Sequence, residues 1–309
     1  MTDHNSAGGR AETQPLVSVV IPTFNRAHIL EEAVNSVIAQ DYLHWELHIV
    51  DDGSTDGTRE LVEQFRGDER IHYHWQENAG QATARNHGVS QARGDYIAFL
   101  DSDDRWLPHK LRVQVQCLVE DPQIDVIYGD VERIDADGNR LPDRPTLPRY
   151  SGTVWRQLLV DNFIPLITSM VRSETIKQAG GLDTSFRCAD DYNLWLRLSA
   201  TAVFKHLPDV VAQYRVEGDR ISNNLDGRYE SNLRSVQGFI EANPNLVSKQ
   251  IERETYARIY QFYAYGYALR GEFWKSVGLA SQALGKAPFA PKNWKILLAV
   301  LARPVRQLA

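Results

Sequence analysis

The first half of the chain alternates two hydrophobic periods, and this alternation limits the folds that it can adopt. Short β-branched runs such as LVSVVI (Leu16–Ile21) have the length of buried strands. Between such runs, apolar residues recur at helical spacing, as they do from Ile29 to Ile38. Strands that alternate with helices predict a mainly parallel sheet sandwiched by helices, so we expect an α/β fold.

The two periods also predict where the elements lie. Strands are expected at Leu16–Ile21, Leu47–Val50, Ile71–Trp75, Tyr96–Leu100 and Val126–Tyr128. Helices are expected around Ile29–Ile38, Thr58–Phe65, Ala82–Ala92 and His109–Val119. The alternation then loosens, with a turn at Asp135–Asn139, helices near Thr153–Val160 and Tyr192–Ser199, and strands at Thr168–Val171, Ala202–His206 and Val210–Val216. We therefore divide the chain into a tail at 1–14, an α/β domain at 15–225 and a helical extension at 226–309.

Composition excludes several classes of protein. A net charge of −6 argues against a broad nucleic-acid surface. Two cysteines cannot form a disulfide framework, and no apolar segment reaches the ~20 residues that span a bilayer. We expect a protein of the reducing cytoplasm. The apolar run Ile296–Ala302, followed by Arg303 and Arg306, predicts either a packed terminal helix or a helix lying at the inner face of a membrane.

Three predicted strands end in polar clusters: PTFNR (22–26), DDGS (51–54) and DSDD (101–104). The carboxyl ends of parallel strands meet at one edge of a sheet, and this edge is where such folds bind ligands. Two interpretations are open for Asp101 and Asp103: they hold Mn²⁺ or Mg²⁺ together with substrate phosphates, or Asp103 or Asp104 caps the helix near Pro108. The DDGS segment is either a turn or a site that accepts from a base or ribose. Neither a dinucleotide fingerprint nor a P-loop is present.

Six motifs in order resemble glycosyltransferase family 2. They are VSVVIPTFNR, VDDGSTDGT, NAGQATARNHGV, GDYIAFLDSDD, GGLD and ADDYNLWLRL, and the resemblance spans about Val17 to Ser222. The resemblance implies a GT-A (nucleotide-diphospho-sugar transferase) fold, with the C-terminal helices as an extension. It also implies an inverting enzyme that uses a nucleotide sugar.

The resemblance assigns the nucleotide-sugar site to residues of the first strand ends and the following helix. Pro22 and Thr23 would line the base pocket, with Asn25 or Arg26 beside it. Asp52, or in second place Asp51, would contact a uracil-type base. Gly80 and Arg85 would lie near base and phosphate, although Arg85 could instead pair with a surface acid. Ser102 would lie within the same site.

The remaining assignments concern the metal and the catalytic base. Asp101 and Asp103 match the metal-binding D-x-D motif, with Asp103 expected to ligate directly. In Asp190-Asp191 the second carboxylate would be the base, although both acids could simply cap the helix at Tyr192–Ser199. Relatives often carry a histidine where this chain has Glu217, which could ligate metal, and Arg215 or Arg220 could meet a phosphate.

These assignments predict a metal-dependent inverting glycosyltransferase. The expected donor is a UDP-sugar or another nucleoside-diphosphate sugar, and the expected acceptor is a saccharide or lipid-linked hydroxyl in surface polysaccharide or glycolipid synthesis. The C-terminal helices are candidates for contact with a membrane or another protein. The alternatives are a nucleotidyltransferase, a non-catalytic nucleotide-sugar binding module, and a scaffold that recruits partners through its helical tail.

Overall fold

The computed structural model describes residues 14–142, 148–216 and 224–306, with side chains up to residue 300. The strands are β1 (Val17–Thr23), β2 (Trp45–Asp51), β3 (Ile71–Trp75), β4 (Tyr96–Phe99), β5 (Arg105–Trp106), β6 (Val126–Ile134), β7 (Ser169–Arg172) and β8 (Phe204–Arg215). The helices are α1 (Leu30–Ile38), α2 (Thr58–Glu63), α3 (Gln81–Gln91), α4 (Lys110–Glu120), α5 (Trp155–Leu158), α6 (Ser173–Gln178), α7 (Asp190–Ser199), α8 (Leu225–Ala242), α9 (Lys249–Leu269), α10 (Phe273–Lys286) and α11 (Pro291–Arg306). The predicted alternation of the first half is confirmed. Up to α4 the bounds differ by at most two residues, whereas β6 extends six residues beyond its predicted end at Tyr128.

All eight strands form one mixed sheet in the order β3-β2-β1-β4-β7-β6-β8-β5. Strands β3, β2, β1 and β4 are mutually parallel, β7 runs antiparallel to both neighbours, and β5 runs antiparallel to β8. In the parallel half, Thr23 at the end of β1 pairs in register with Asp51 at the end of β2. The predicted GT-A-type sheet is therefore present, and the three polar strand ends share one edge.

Side chains that alternate along β1 supply two cores, one on each face of the sheet. Val19 and Ile21 pack with α1 and α4, whereas Val20 packs on the opposite face with α3 and α7. The second core continues into the C-terminal helices, where the ring of Trp155 stacks on Phe239 with centroids 6.3 Å apart. The α/β domain and the helical extension thus bury apolar surface jointly, although α8 begins at the predicted boundary.

Two features of the second half differ from the sequence prediction. The two strands predicted around Pro208 are a single strand, β8, whose pairing with β6 changes register near Tyr128 and Asp130. A proline inside a strand interrupts the ladder, so the sequence pattern divides there although the strand continues. Helix α6 was not predicted, because Ile176 is the single apolar side chain among its six residues. None of the helices in the described ranges combines the length and the apolar content needed to cross a bilayer.

Candidate active site

The loops after β1 and β2 are tied together at the carboxyl edge of the sheet. The backbone N–H of Asn25 donates to Ser54 Oγ (2.9 Å), and Asn25 Oδ1 accepts from the N–H of Thr55 (2.8 Å). Asn25 has a φ of +52°, and within the described ranges only Ala189 is a second non-glycine residue with positive φ. Asn25 is itself a predicted site residue, and Ala189 directly precedes the predicted pair Asp190-Asp191. Left-handed backbone costs free energy in such residues, and it is enriched at functional sites.

The two aspartates of the DDGS segment have different partners. Asp51 accepts from the N–H of Ser54 (2.8 Å) and from the hydroxyl of Tyr73 (2.6 Å), which supports the turn interpretation for this residue. The carboxylate of Asp52 accepts from Gln76 Nε2 (2.7 Å) and from the N–H groups of Ala79 (2.9 Å) and Gly80 (2.8 Å). Asp52 is thus fixed against the segment before α3. Its partner Gln76 was not predicted, because the sequence pattern does not show which loop faces the DDGS turn.

Thr23, a predicted base-pocket residue, has an unsatisfied polar atom. Its side chain is 3% exposed, and its Oγ1 has no hydrogen-bond partner. A buried hydroxyl without a partner costs about 1–3 kcal/mol. Pro22 beside it is also buried, and Arg26 is partly exposed. The hydroxyl of Thr23 is consequently an unpaired polar group at this edge of the sheet.

Arg85 joins the two acidic motifs that the sequence keeps far apart. Its guanidinium, on α3, donates through Nη2 to Asp101 Oδ1 and through Nη1 to Asp190 Oδ2, both at 2.6 Å. Burial alone would lower the pKa of Arg85, but the charges of Asp190 and Asp101 outweigh burial and raise it. Arg85 is 1% exposed, so this pairing is internal to the site, not a contact with a surface acid.

Asp191 combines a rigid position with a shifted pKa. Both acids of the pair lie in the first turn of α7, whose N-cap is Ala189, so neither acid is the N-cap residue. Burial and the neighbouring charge of Asp190 raise the pKa of Asp191 to about 6, while a hydrogen bond from Asn162 Nδ2 (3.1 Å) favours the charged form. A carboxylate with a pKa near neutrality suits general-base chemistry. Asn162 lies outside the six motifs, so the motifs did not predict this contact.

The DSDD segment alternates between partly exposed and buried side chains. Asp101 and Asp103 are partly exposed, whereas Ser102 and Asp104 are buried. Asp104 Oδ1 accepts from the N–H of Arg215 (2.8 Å). The alternative that Asp103 or Asp104 caps the next helix is wrong, because α4 has His109 at its N-cap and β5 intervenes. The partly exposed pair remains as candidate metal ligands.

These two carboxylates have the chemistry of a divalent cation site. Asp101 and Asp103 supply the hard oxygen donors that Mg²⁺ and Mn²⁺ prefer. Within the described ranges, no cluster of three or more histidine, cysteine or acidic side chains is placed to hold a metal ion. Magnesium sites commonly use one or two carboxylates with substrate phosphates and water. The donor set therefore fits a cation that is completed by a phosphorylated substrate.

Arg215 has a structural role in place of the predicted phosphate contact. Its guanidinium is 1% exposed and donates to the carbonyl oxygens of Asp103 (3.0 Å) and Ala136 (2.6 Å) and to Glu32 Oε2 (2.5 Å). These bonds hold the DSDD segment against the turn after β6. A phosphate could contact the Arg215 guanidinium only by displacing these internal acceptors. The structure therefore does not support the predicted contact between Arg215 and a phosphate. Glu217 and Arg220 lie outside the described residues.

The histidines of β2 and β3 form a stacked group on one sheet face. The rings of His72 and His74 lie 5.1 and 5.3 Å from that of His48, and His74 is 5.3 Å from His87. Burial, together with the neighbouring histidines, lowers the pKa of His74 to about 4. The stacking shows that His72 and His74, two residues apart on β3, lie on the same face of the sheet as His48.

The chain is similar in sequence to a known protein family. The model of the family described as glycosyl transferase family 2 matches residues 18–178. Over 215 residues, the chain is 35% identical to a Bacillus subtilis protein named as a teichuronic acid biosynthesis glycosyltransferase, TuaG, covering 68% of this chain and 83% of that relative.

Solved structures show the same fold. S. aureus TarS 1–349 in complex with UDP-GlcNAc aligns with a TM-score of 0.68 and 22% identity, over 88% of this chain and 81% of that one. The mannosyltransferase PcManGT of Pyrobaculum calidifontis, in complex with GDP-Man and Mn²⁺, aligns with a TM-score of 0.57 and 20% identity, over 96% of this chain and 88% of that one. The predicted GT-A fold is therefore confirmed.

Proposed function

Because the chain belongs to glycosyltransferase family 2, we propose that it transfers a sugar from a nucleoside-diphosphate donor, in the first place UDP, to an acceptor hydroxyl during polysaccharide synthesis. The name of TuaG supports the polysaccharide setting, and the UDP-GlcNAc complex of TarS supports the nucleotide. The proposed acceptor is a saccharide or lipid-linked hydroxyl.

We assign the donor base to the edge formed by β1 and β2. The unsatisfied hydroxyl of Thr23 provides a hydrogen-bonding group toward a base or ribose. Asp52 is held in place by three donors, so it can accept from a base N–H without reorganising. Arg26 lies on the same loop as Asn25, whose hydrogen bonds fix that loop.

We assign the diphosphate end of the donor to Asp101 and Asp103. When bound there, Mn²⁺ or Mg²⁺ would neutralise the negative charge that develops on the departing diphosphate. Arg85 would hold Asp101 and Asp190 in place, since it contacts both carboxylates. A D-x-D segment held by the hydrogen bond from Arg215 to the carbonyl oxygen of Asp103 would present its partly exposed carboxylates in a fixed direction.

Asp191 is our candidate for the general base. The acceptor oxygen attacks the anomeric carbon, its proton passes to the carboxylate of Asp191, and the bond to the diphosphate breaks with the electron pair leaving on phosphate oxygen. This single displacement inverts the anomeric configuration. The observation that carries the proposal is the link through Arg85, because it sets the candidate base beside the candidate diphosphate site.

The experiment is the variant Asp191→Asn, assayed for release of nucleoside diphosphate and for donor binding by calorimetry. We expect turnover to fall by about 10²–10⁴-fold because the base is lost, with donor affinity unchanged. Asp226→Asn, an exposed acid in the first turn of α8, is the matched control. Turnover that survives in Asp191→Asn would contradict the base assignment. Release of pyrophosphate by the unmodified protein would instead indicate a nucleotidyltransferase.

A further inference from the structure

The last helix and the turn before it expose large apolar side chains next to basic ones. Phe289 is 95% exposed, Trp294 50% and Leu298 61%. Lys292 and Lys295 are exposed between them. We call Phe289, Lys292, Trp294, Lys295 and Leu298 the basic apolar face. Contiguous exposed apolar groups with a polar rim mark interaction sites.

The geometry of α11 makes this face independent of the protein core. Asn293 and Val300, seven residues apart, are buried and pack inward. Trp294 and Leu298, four residues apart, therefore lie together on the outer side of the same helix. Trp294 Nε1 donates to the carbonyl of Pro288 (2.9 Å), which holds the indole over the turn that carries Phe289. The face is thus fixed in place and lies on the side of α11 opposite its buried residues, which pack toward α9 and α10.

The charge around this face has one sign. From Phe273 to the end of the sequence there are six lysines and arginines and no acidic residue, although the whole chain has a net charge of −6. Within the described ranges neither Lys292 nor Lys295 forms an ion pair. An adjoining cleft of about 550 Å³ is lined by Lys249, Arg253 and Lys286 with one acid, Glu252, and it reaches Pro288. The face and the cleft together attract anions.

We propose that the basic apolar face binds the surface of a bilayer that contains anionic phospholipids. Tryptophan, phenylalanine and leucine enter the headgroup boundary, where lysine keeps its charge in water. A protein partner fits less well, because lysine is depleted in protein–protein interfaces. The proposal concerns attachment alone and does not depend on the proposed function. Attachment would bring the enzyme to lipid-linked acceptors.

The test is co-sedimentation of the full chain with vesicles of phosphatidylcholine alone or mixed with phosphatidylglycerol. We expect binding to the anionic vesicles only, with a steep loss as salt rises, because screening weakens the attraction to the surface charge. The double variants Trp294→Ser/Leu298→Ser and Lys292→Gln/Lys295→Gln should each lower the partition coefficient at least tenfold. Leu43→Ser, at an apolar position that is 70% exposed elsewhere on the surface, is the matched control.

Sugar transfer to a water-soluble acceptor should be unchanged in all three variants, which separates this proposal from the proposed function. Absence of binding to anionic vesicles at low salt would overturn the proposal. Binding that the two double variants leave intact would do the same. A stable complex of the unmodified chain with a second copy or another protein through this face, without vesicle binding, would assign the face to that partner instead.

Discussion

At the scale of single residues, the candidate site depends on carboxylates whose surroundings differ. Asp101 and Asp103 are partly exposed, Asp52 is fixed by three donors, and the pKa of Asp191 is raised to about 6 by burial and by Asp190. Sequence motifs identified these acids, but the identity of a residue does not reveal its surroundings. The same limit explains Arg215, whose internal acceptors come from chain segments that the sequence keeps distant.

The pKa of Asp191 predicts the acid limb of the pH profile. The base must be ionised to accept a proton, so kcat/KM should be level above pH 6 and fall about tenfold per pH unit below it. Asn162→Ala removes a hydrogen bond to the charged carboxylate, and we therefore expect its acid limb to move to higher pH. Initial rates measured from roughly pH 4.5 to 8, a range that includes this pKa, give the acid limb of the unmodified protein and of Asn162→Ala. A profile that is flat through pH 5 would assign the base elsewhere.

At the scale of elements, the first four strands and their helices could be predicted because short runs of β-branched, aromatic or alternating residues are separated by segments of helical period. The two-residue β5 is too short to show a period, and α6 has a single apolar side chain and therefore no apolar period. The link between α3 and α7 through Arg85 joins residues 105 positions apart, and only the folded sheet brings them together. The motifs were therefore predictable, whereas their connection was not.

The Arg85 link predicts a joint effect on stability and ionisation. Arg85→Met leaves the buried carboxylate of Asp190 without its partner, which should lower the free energy of unfolding by about 3–5 kcal/mol. The guanidinium also favours ionised Asp191, so its loss should raise the pKa of Asp191 and move the acid limb upward. Urea unfolding and the pH–rate profile measure the two effects. Arg112→Met, which breaks the exposed pair with Asp41, should change neither.

At the scale of the whole molecule, one apolar core extends across the boundary that the sequence predicts near Leu225. Trp155 of the α/β domain and Phe239 of α8 belong to the same buried cluster, together with Tyr263 of α9. At this boundary the predicted elements change from alternating strands and helices to helices alone. The sequence pattern does not show which faces of these elements pack together. A helical appendage and a shared core look alike in a sequence, because both present amphipathic helices.

The shared core predicts the result of truncation. A chain that ends at Asn224 would expose Trp155 and its neighbours, each side chain having contributed about 1.5–3 kcal/mol through burial. Several such losses approach the whole stability of a domain, so we expect the truncated chain to aggregate or to unfold at a much lower temperature. Thermal unfolding followed by circular dichroism measures this. An unchanged midpoint would instead establish 15–225 as an independent domain.

The backbone at Ala189 has a consequence for how sharply the candidate base is aimed. A glycine would adopt the φ of +53° there without a steric penalty, yet it would also let the preceding loop sample many more conformations. Alanine is sterically strained at this φ, but its Cβ atom restricts the loop to fewer backbone conformations. The methyl group of Ala189 therefore limits the backbone conformations at the start of α7. This limit also restricts the directions in which the carboxylate of Asp191 can point.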